Sequence, residues 1–377
     1  MKKYVLFILI LFFGIKLFAL ISPQDDHLQF VMEAKLEGCS ISIEKSQTVT
    51  TKYGKMKTAD NTYIAYYTSG KIKLLFLKEP AKIKIQKQNF IINSFLANQS
   101  NDIFKKVDIP VEFYENGNLK RFICESSQTI SKLNVSTKES TLINLDENEN
   151  IIYFVPKKIS GKELTLKNNN IEFFLDYMGQ KPVELFSSGN LKTIVIYKKT
   201  TDFGKYSLDY SKSHNNTSMV VSFYESGEIE SLGITRNSLG HESTFSVLLN
   251  EDWYDVSFIS FFESGICKTM DFNPRQEIEI LWNGSNKKFL QKNIVYKPNG
   301  DISVIVGAFN YYNTNNELDF FYQNKCYLIY KNSTLSQVLQ PESEERYLQF
   351  IYFDDENNPV AYGIDNNDNF DYIELEK

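Results

Sequence analysis

Residues 221–232 read VSFYESGEIESL, and nearly the same twelve residues occur at three other places in the chain. The other copies are VEFYENGNLKRF from Val111, VELFSSGNLKTI from Val183 and ISFFESGICKTM from Ile259. A glycine holds the seventh place of every copy. A pattern that recurs every few tens of residues is typical of repeat proteins.

Four columns of apolar residues run through the copies, counted from the glycine as position 0. Shorter matches around Gly70 and Gly300 share them. Position −6 is Ile64, Val111, Val183, Val221, Ile259 and Ile294. Position −4 is Tyr66, Phe113, Leu185, Phe223, Phe261 and Tyr296. Position +2 is Ile72, Leu119, Leu191, Ile229, Cys267 and Ile302, and position +5 is Leu75, Phe122, Ile194, Leu232, Met270 and Ile305.

These columns predict that each copy is a β-hairpin. The two upstream columns alternate with a period of two, which is the pattern of a strand with one buried face. An Asn-Gly or Ser-Gly pair often separates the upstream and downstream runs, and glycine tolerates the positive φ of a tight turn. Two degenerate copies extend the series: residues 143–154, with Glu149 in the glycine place, and YFDDENNPVAYG, with Asn358 in that place.

The spacing of the copies predicts the fold class. Seven or eight units of about 38 residues cover most of the chain, with further strand-like runs between the hairpins. We expect an all-β protein of tandem β-hairpin repeats, forming an extended antiparallel sheet or a stacked array. A β-propeller is the alternative, because units near 40 residues with four strands suit propeller blades.

The motif F-Y-E-[NS]-G-x-[LI]-[KE], at residues 113–120 and 223–230, resembles the bacterial variant of the MORN repeat. This short hairpin module is often labelled antitoxin-like (YwqK-type). The resemblance covers about eight residues in each of six copies. The usual module is shorter and carries a second glycine and an aromatic residue after the hairpin, which are not regular here. The resemblance implies a β-hairpin array used for contacts rather than a catalytic site.

The first residues, MKKYVLFILILFFGIKLFALISPQ, have the layout of a secretory signal. Two lysines precede a nearly continuous apolar run over residues 4–21, and cleavage after Ala19 or Ser22 fits a small-residue rule. An uncleaved anchor is the alternative, because the run approaches the length that spans a bilayer. We therefore expect an exported chain: periplasmic, associated with the cell envelope, or extracellular.

The sequence divides into three parts on these grounds. Residues 1–22 are the signal peptide or N-terminal anchor, residues 23–60 are an N-terminal strand region, and residues 61–377 are the MORN-like β-repeat region. Four cysteines are present, and none belongs to a CxxC motif or has a nearby histidine, which disfavours zinc. An exported compartment permits disulfides, and three complete pairings are open among Cys39, Cys124, Cys267 and Cys326.

The polar residues predict no catalytic site, no cofactor site and no metal site. Only three histidines occur, His27, His214 and His241, and the common hydrolase, protease and nucleotide-binding motifs are absent from the sequence. Glutamates recur at position −2 (Glu115, Glu225, Glu263) and at position −5 (Glu112, Glu184). A glycosidase needs two carboxylates facing each other across a sugar, whereas a repeated column is more simply a solubilising surface.

A second column of aromatic residues stands at position −3: Tyr67, Tyr114, Phe186, Tyr224 and Phe262. Unless a bulge intervenes, these residues lie on the face opposite to the buried column. They form either an exposed aromatic stripe or a second buried face, and burial in a two-sided array is the favoured interpretation.

The best metal candidate is DNNDNFDYIELE at residues 365–376. Its polar residues fall on the 1, 3, 5, 7 and 12 spacing of a calcium loop: Asp365, Asn367, Asn369, Asp371 and Glu376. Phe370 takes the place of the required glycine and the flanks read as strands, so a hairpin with a polar turn is preferred.

The repeat architecture is the main indication of function in this sequence. We predict an exported, non-catalytic repeat protein that serves as a binding or structural scaffold at the bacterial cell envelope, with a protein or glycan partner. A net charge of −6 argues against nucleic acid as partner, and the membrane is contacted only through an uncleaved N-terminal segment. A carbohydrate-active or other enzyme on a β-propeller scaffold is the alternative.

Overall fold

The computed structural model shows an all-β protein. It describes residues 40–95, 108–157, 165–169, 171–175, 181–196, 203, 206–209, 218–234, 244–249, 251–282, 285–309, 311–312, 318–319, 326–331, 334–339, 347–354, 357–365 and 370–375. None of these residues forms a helix, so the described chain holds no helix that could span a membrane. The signal-like segment 1–22, Cys39 and the three histidines lie outside the described residues.

Thirty-two strands are present in the described residues. They are β1 (Ser40–Ile43), β2 (Thr48–Thr51), β3 (Gly54–Lys57), β4 (Thr62–Tyr66), β5 (Ile72–Leu75), β6 (Ala81–Ile85), β7 (Gln88–Asn93), β8 (Val111–Phe113), β9 (Leu119–Cys124), β10 (Thr129–Ile130), β11 (Val135–Ser136), β12 (Thr141–Leu145), β13 (Ile151–Phe154), β14 (Thr165–Asn168), β15 (Ile171–Phe174), β16 (Val183–Leu185), β17 (Leu191–Ile196), β18 (Ser207–Asp209), β19 (Met219–Phe223), β20 (Ile229–Ile234), β21 (Phe245–Leu249), β22 (Asp252–Phe261), β23 (Cys267–Trp282), β24 (Ser285–Tyr296), β25 (Ile302–Phe309), β26 (Tyr311–Tyr312), β27 (Leu318–Asp319), β28 (Cys326–Lys331), β29 (Thr334–Leu339), β30 (Tyr347–Phe353), β31 (Pro359–Asp365) and β32 (Phe370–Glu374).

Every copy of the repeat closes the same turn, including the two degenerate copies. The N–H of position 0 donates to the carbonyl of position −3 at 2.8–3.0 Å, and the N–H of position −3 donates to the carbonyl of position +1. Position 0 is left-handed each time, with φ between 59° and 91°. This is the three-residue hairpin loop that ends in a left-handed residue, so the predicted turn is confirmed.

The last copy differs from its sequence interpretation by one residue. Asn357, not Asn358, has the left-handed φ of 59° and donates to the carbonyl of Asp354. The tandem Asn-Asn pair concealed this offset, because either amide could stand in the glycine place. Asp354 fixes the register by accepting from the N–H and the side-chain amide of Asn358.

The hairpins also share one β-bulge. In the first unit, Phe113 pairs with Leu119 while Glu112 pairs with Arg121, so one residue of the downstream strand is left over. The same shift between positions −5 and −4 occurs at β4–β5, β12–β13, β19–β20, β22–β23, β24–β25 and β30–β31. The bulge places the −6 and +5 columns on one face of the sheet and the −5 and +4 residues on the other.

The chain forms two compact units. The first comprises Met1–Leu166 and Tyr177–Lys192, and the second comprises Lys167–Asp176 and Thr193–Lys377. In the first unit, antiparallel pairing runs β1–β4–β5–β8–β9–β12–β13–β16. Eight consecutive strands thus form one extended sheet, whereas propeller blades are separate four-stranded sheets.

The second unit repeats this arrangement. From residues 193–196 of β17, antiparallel pairing runs β17–β19–β20–β22–β23–β24–β25–β28–β29. The final hairpin copy belongs to a three-stranded sheet, β30–β31–β32. The extended antiparallel sheet of hairpins is therefore the fold of both units.

The inner face, which carries positions −6 and +5, is buried along both sheets. These two columns are buried in each of the first seven copies. In the first unit the β6–β7 hairpin contributes Phe90, whose ring meets Phe122 edge-on at 6.0 Å. In the second unit, Phe173 of β15 meets Phe223 at 5.4 Å. The residues between the copies supply these aromatic contacts with the core.

Candidate binding face

The aromatic residues at position −3 link successive repeats. The hydroxyl of Tyr67 donates to the carbonyl of Phe113 at 2.8 Å, and that of Tyr224 donates to the carbonyl of Phe261 at 2.7 Å. Tyr114 does the same with Leu145 at 2.8 Å. Each acceptor is position −4 of the next repeat. These rings are half-buried, so they form neither of the two arrangements considered from the sequence.

Lysines at position +3 cover several of these rings. Lys73 lies 5.7 Å from the Tyr67 ring centre, and Lys120 lies 5.8 Å from that of Tyr114. Lys268 lies 5.7 Å from Phe262 in the same way. These cation–π contacts and the tyrosine hydrogen bonds are structural, so we do not assign the −3 column to a ligand.

The two glutamate columns behave differently. Glu115, Glu225 and Glu263 are exposed at the turns, as expected of solubilising residues. The interpretation of position −5 as surface was wrong for Glu112, which is fully buried. Its carboxylate lies 3.5 Å from the guanidinium of Arg121, its cross-strand partner at position +4. A buried carboxylate requires such a partner, and nothing in the repeat pattern indicated it.

Glu112 and Glu184 do not form a glycosidase pair. They occupy the same row of the sheet on β8 and β16, four strand spacings apart. At about 4.8 Å for each spacing, their backbones are separated by about 19 Å. Glycosidase carboxylates lie about 5–10 Å apart, so this arrangement does not hold a sugar bond between two carboxylates.

The outer face of the second unit carries a row of hydroxyl groups across five adjacent strands. We call this set the hydroxyl row. Its members, each the cross-strand partner of the next, are Thr193, Ser222, Ser231, Ser260 and Thr269. Ser260 and Thr269 hydrogen-bond to each other at 2.9 Å. All five are partly exposed. Each hydroxyl can both donate and accept, and the strands space the row at about 4.8 Å.

An exposed aromatic ring lies beside the hydroxyl row. Phe258 is 37% exposed and pairs across the strands with Gly233. A Cβ added to Gly233 would come within 3.0 Å of the Phe258 ring. The ring therefore lies over the glycine of the neighbouring strand. Trp253, further along β22, is 53% exposed, and the bulge between Val256 and Phe258 offsets the odd spacing, so both rings lie on the outer face. Sequence reasoning missed both residues, because neither belongs to a repeated column.

Acid and amide groups complete this surface. Asp271 is the cross-strand partner of Phe258, and the side chain of Asn293 donates to its carboxylate. Burial raises the pKa of Asp271, against the lowering effect of that hydrogen bond and of Lys292. Asp255 accepts a 2.5 Å hydrogen bond from Ser246 on β21. We call the hydroxyl row together with Gly233, Trp253, Asp255, Phe258, Asp271 and Asn293 the outer-face patch.

The outer-face patch combines an exposed aromatic ring with hydroxyl, amide and carboxylate groups. An exposed ring offers an apolar platform, and the surrounding hydroxyl, amide and carboxylate groups provide directional donors and acceptors. Nothing in the patch resembles a nucleophile with an adjacent base. The described residues contain no cluster of histidine, cysteine, aspartate or glutamate able to hold a metal ion.

The calcium-like segment and the cysteines are the other candidates from the sequence. β31 and β32 pair antiparallel from Asp365 opposite Phe370, so strands flank the calcium-like segment, while Asn367, Asn369 and Glu376 lie outside the described residues. Cys124 and Cys267 are free thiols, so none of the three complete disulfide pairings is formed. Burial raises the pKa of Cys267 to about 12, which keeps this thiol protonated and unreactive at neutral pH.

No protein-family model matches the chain, and no curated protein matches its sequence. The geometry of the outer-face patch is therefore the basis for assigning a function.

Proposed function

We propose that this protein is an exported, non-catalytic MORN-like repeat protein that binds a glycan of the bacterial cell envelope through the outer-face patch. The observation that carries the proposal is the Phe258 ring lying over Gly233 beside five consecutive hydroxyls. A pyranose presents C–H groups on one face and hydroxyls around its edge. The Phe258 ring can pack on the C–H face of the sugar, and the hydroxyl row can hydrogen-bond to the hydroxyls at its edge.

The repeated sheet supports an extended ligand better than a small one. The hydroxyl row spans five strands, or about 19 Å, which exceeds a single sugar ring. Trp253 and Phe258 are five residues apart on β22, which corresponds to about 15 Å along the strand. A chain of several sugars can contact both rings and the polar groups between them. Repeat sheets commonly serve as such extended platforms.

A binding experiment tests the patch directly. Soluble chitotetraose and isolated peptidoglycan are the probes, and we expect Phe258→Ala and Trp253→Ala each to weaken binding at least tenfold. Leu281→Ala is the matched control, because Leu281 is another exposed apolar residue of the second unit, at 68% exposure. The proposal fails if the wild-type protein binds neither probe, or if the control weakens binding as much as the patch variants.

Export is tested separately. Residues 1–22, joined to a phosphatase that is active only after export, should give activity in bacterial cells, and deletion of residues 4–21 should abolish it. Activity that survives this deletion would contradict the export proposal without affecting the patch. Detection of the mature N terminus then distinguishes cleavage after Ala19 or Ser22 from retention as an anchor.

A further inference from the structure

A lysine-bearing cleft lies in the first unit, remote in sequence from the outer-face patch. It is a shallow, open cleft of about 680 Å³, and its lining includes Tyr53, Lys82, Lys84, Asn89 and Ser126. A volume of this size falls within the range of small-molecule sites. Lys82 and Lys84 are exposed, and they face Ile91 and Asn89 across the β6–β7 hairpin. Within the described part of the chain, neither lysine forms an ion pair.

The nearest turn is strained. Gln86 and Lys87, which connect β6 to β7, have φ values of 43° and 73°. A two-residue turn with both φ positive normally takes Asn-Gly, and other residues incur a conformational cost. The side chain of Gln86 donates to the carbonyl of Asn148 at 2.7 Å, which holds the turn in place. Strain of this kind often accompanies ligand-binding segments, and this turn adds a third lysine to the hairpin.

The polar groups of the cleft wall are already positioned by hydrogen bonds. Ser126 Oγ accepts from the N–H of Ile91 at 3.2 Å and from the side chain of Gln128 at 2.7 Å. Gln128 also donates to the carbonyl of Asn89 at 3.2 Å. The hydroxyl of Tyr53 donates to Glu149 and accepts from the N–H of Leu119. The lysines therefore extend from a fixed wall that combines aromatic, aliphatic and amide surfaces.

We propose that this cleft, the lysine cleft, binds a carboxylate-bearing sugar, namely a uronate unit of an acidic glycan. Lys82 and Lys84 form a local positive patch that is complementary to an anion. The mixed lining fits a sugar ring better than a bare phosphate, because Tyr53 and Ile91 offer apolar contact while Asn89 offers an amide. The proposal concerns a different unit from the outer-face patch and does not depend on it.

The test compares three probes on the full chain by calorimetry: trigalacturonate, its methyl ester and inorganic phosphate. We expect trigalacturonate to bind, with an affinity that falls as salt is raised, and the uncharged ester to bind at least tenfold more weakly. Equal binding of acid and ester would overturn the proposal. Displacement of trigalacturonate by millimolar phosphate would also overturn it, since an anion alone would then suffice.

Charge-matched variants assign the binding to the cleft. Lys82→Gln/Lys84→Gln should weaken trigalacturonate binding at least tenfold. Lys55→Gln/Lys71→Gln removes the same charge from exposed positions of the first unit and should leave binding within twofold of wild type. Unchanged far-ultraviolet circular dichroism confirms that both double variants are folded. Equal losses in the two variants would mean unspecific attraction and would reject the site, whereas Phe258→Ala should not alter this affinity.

Discussion

At the scale of single residues, the tyrosine at position −3 recurs because of one backbone carbonyl. Position −4 of each hairpin pairs with position +2, directly beside the bulge. The carbonyl of position −4 accepts a tyrosine hydroxyl from the preceding repeat at Phe113, Leu145 and Phe261. Buried carbonyls require a partner, so the tyrosine of one repeat satisfies a carbonyl of the next repeat and links the two.

Removal of one such tyrosine hydroxyl should lower the free energy of unfolding measurably. Tyr224→Phe leaves the carbonyl of Phe261 without its donor, and we expect the free energy of unfolding to fall by about 1 kcal/mol. Tyr66→Phe is the control, because among the described residues no hydrogen bond joins the Tyr66 hydroxyl to a partner. Urea unfolding compares the two. Equal small changes would contradict the role given to position −3.

Glu149 shows how a repeat retains its turn without glycine. Its φ is 67°, and its carboxylate accepts from Lys52 at 2.9 Å and from the hydroxyl of Tyr53. Burial raises the pKa of Tyr53, and the hydrogen bond to Glu149 raises it further, so the phenol remains a donor throughout the physiological range. These contacts offset the strain of a left-handed glutamate.

Two substitutions separate the contacts from the strain. Glu149→Ala loses the contacts and keeps the strained φ, and we expect it to destabilise the fold by about 2 kcal/mol. Glu149→Gly loses the same contacts and removes the strain, so its loss should be smaller by about 1 kcal/mol. Denaturant unfolding of both variants checks the order. A glycine variant less stable than the alanine variant would contradict this account.

Asp271 predicts a pH effect whose direction follows from its raised pKa. Below the unfolded pKa the carboxyl is protonated in both states and costs nothing. As pH rises, the unfolded chain ionises first, so the native state loses stability relative to it. Asp271→Asn should therefore gain stability relative to wild type as pH increases from about 3.8 towards neutrality. Thermal melts at pH 3 and pH 7 test this, and a constant difference would refute it.

At the scale of elements, the hairpin turns are alike in conformation but differ in their surroundings. Gly117 and Gly227 have φ values of 86° and 91°. A Cβ at Gly117 would have no neighbour within 4 Å, whereas one at Gly227 would lie 3.1 Å from the side chains of Asn168 and Asn169. Asn168 also donates to the carbonyl of Gly227 at 2.9 Å. The β14–β15 turn is thus docked on one repeat glycine.

This difference predicts unequal costs for one kind of substitution. Gly117→Ala should destabilise by about 1 kcal/mol, the cost of a left-handed alanine. Gly227→Ala should lose about 1 kcal/mol more, because the Asn168 contact must also move. Thermal unfolding of the paired variants is the measurement. If the two midpoints fall equally, the asparagine contact does not stabilise the turn.

At the scale of the whole molecule, the sequence period predicted the repeated hairpins. It did not predict the inserted hairpins or the cross-strand contacts of single residues. The −6 and +5 columns are buried because alternation along a strand places them on one face of the sheet. This alternation is visible in the sequence, so their burial was predictable. The β6–β7 and β14–β15 hairpins follow no repeat, so their contacts with the core were not predictable from periodicity. Phe258 and the Glu112–Arg121 pair depend on cross-strand register, which a single column does not reveal.

A precise deletion tests whether the repeats are interchangeable. Gly189, Gly227 and Gly265 are 38 residues apart, so removal of residues 221–258 joins Val220 to Ile259 in the same repeat position. Ile259 and Ser260 would then replace Val221 and Ser222 opposite β17, which preserves one apolar and one hydroxyl partner. Since stability in repeat arrays is a sum over neighbours, we expect a folded β-protein with a lower melting temperature.

The control deletion removes one residue more, 221–259, and places Ser260 where Val221 packs. A one-residue slip moves every following side chain of the strand to the other face, so the buried column would become polar. Circular dichroism should show cooperative melting for the 38-residue deletion and none for the 39-residue deletion. If the two behave alike, the repeat register does not determine the fold. The shorter deletion also removes Gly233 and Phe258, so it should fold and yet fail to bind the glycan probes.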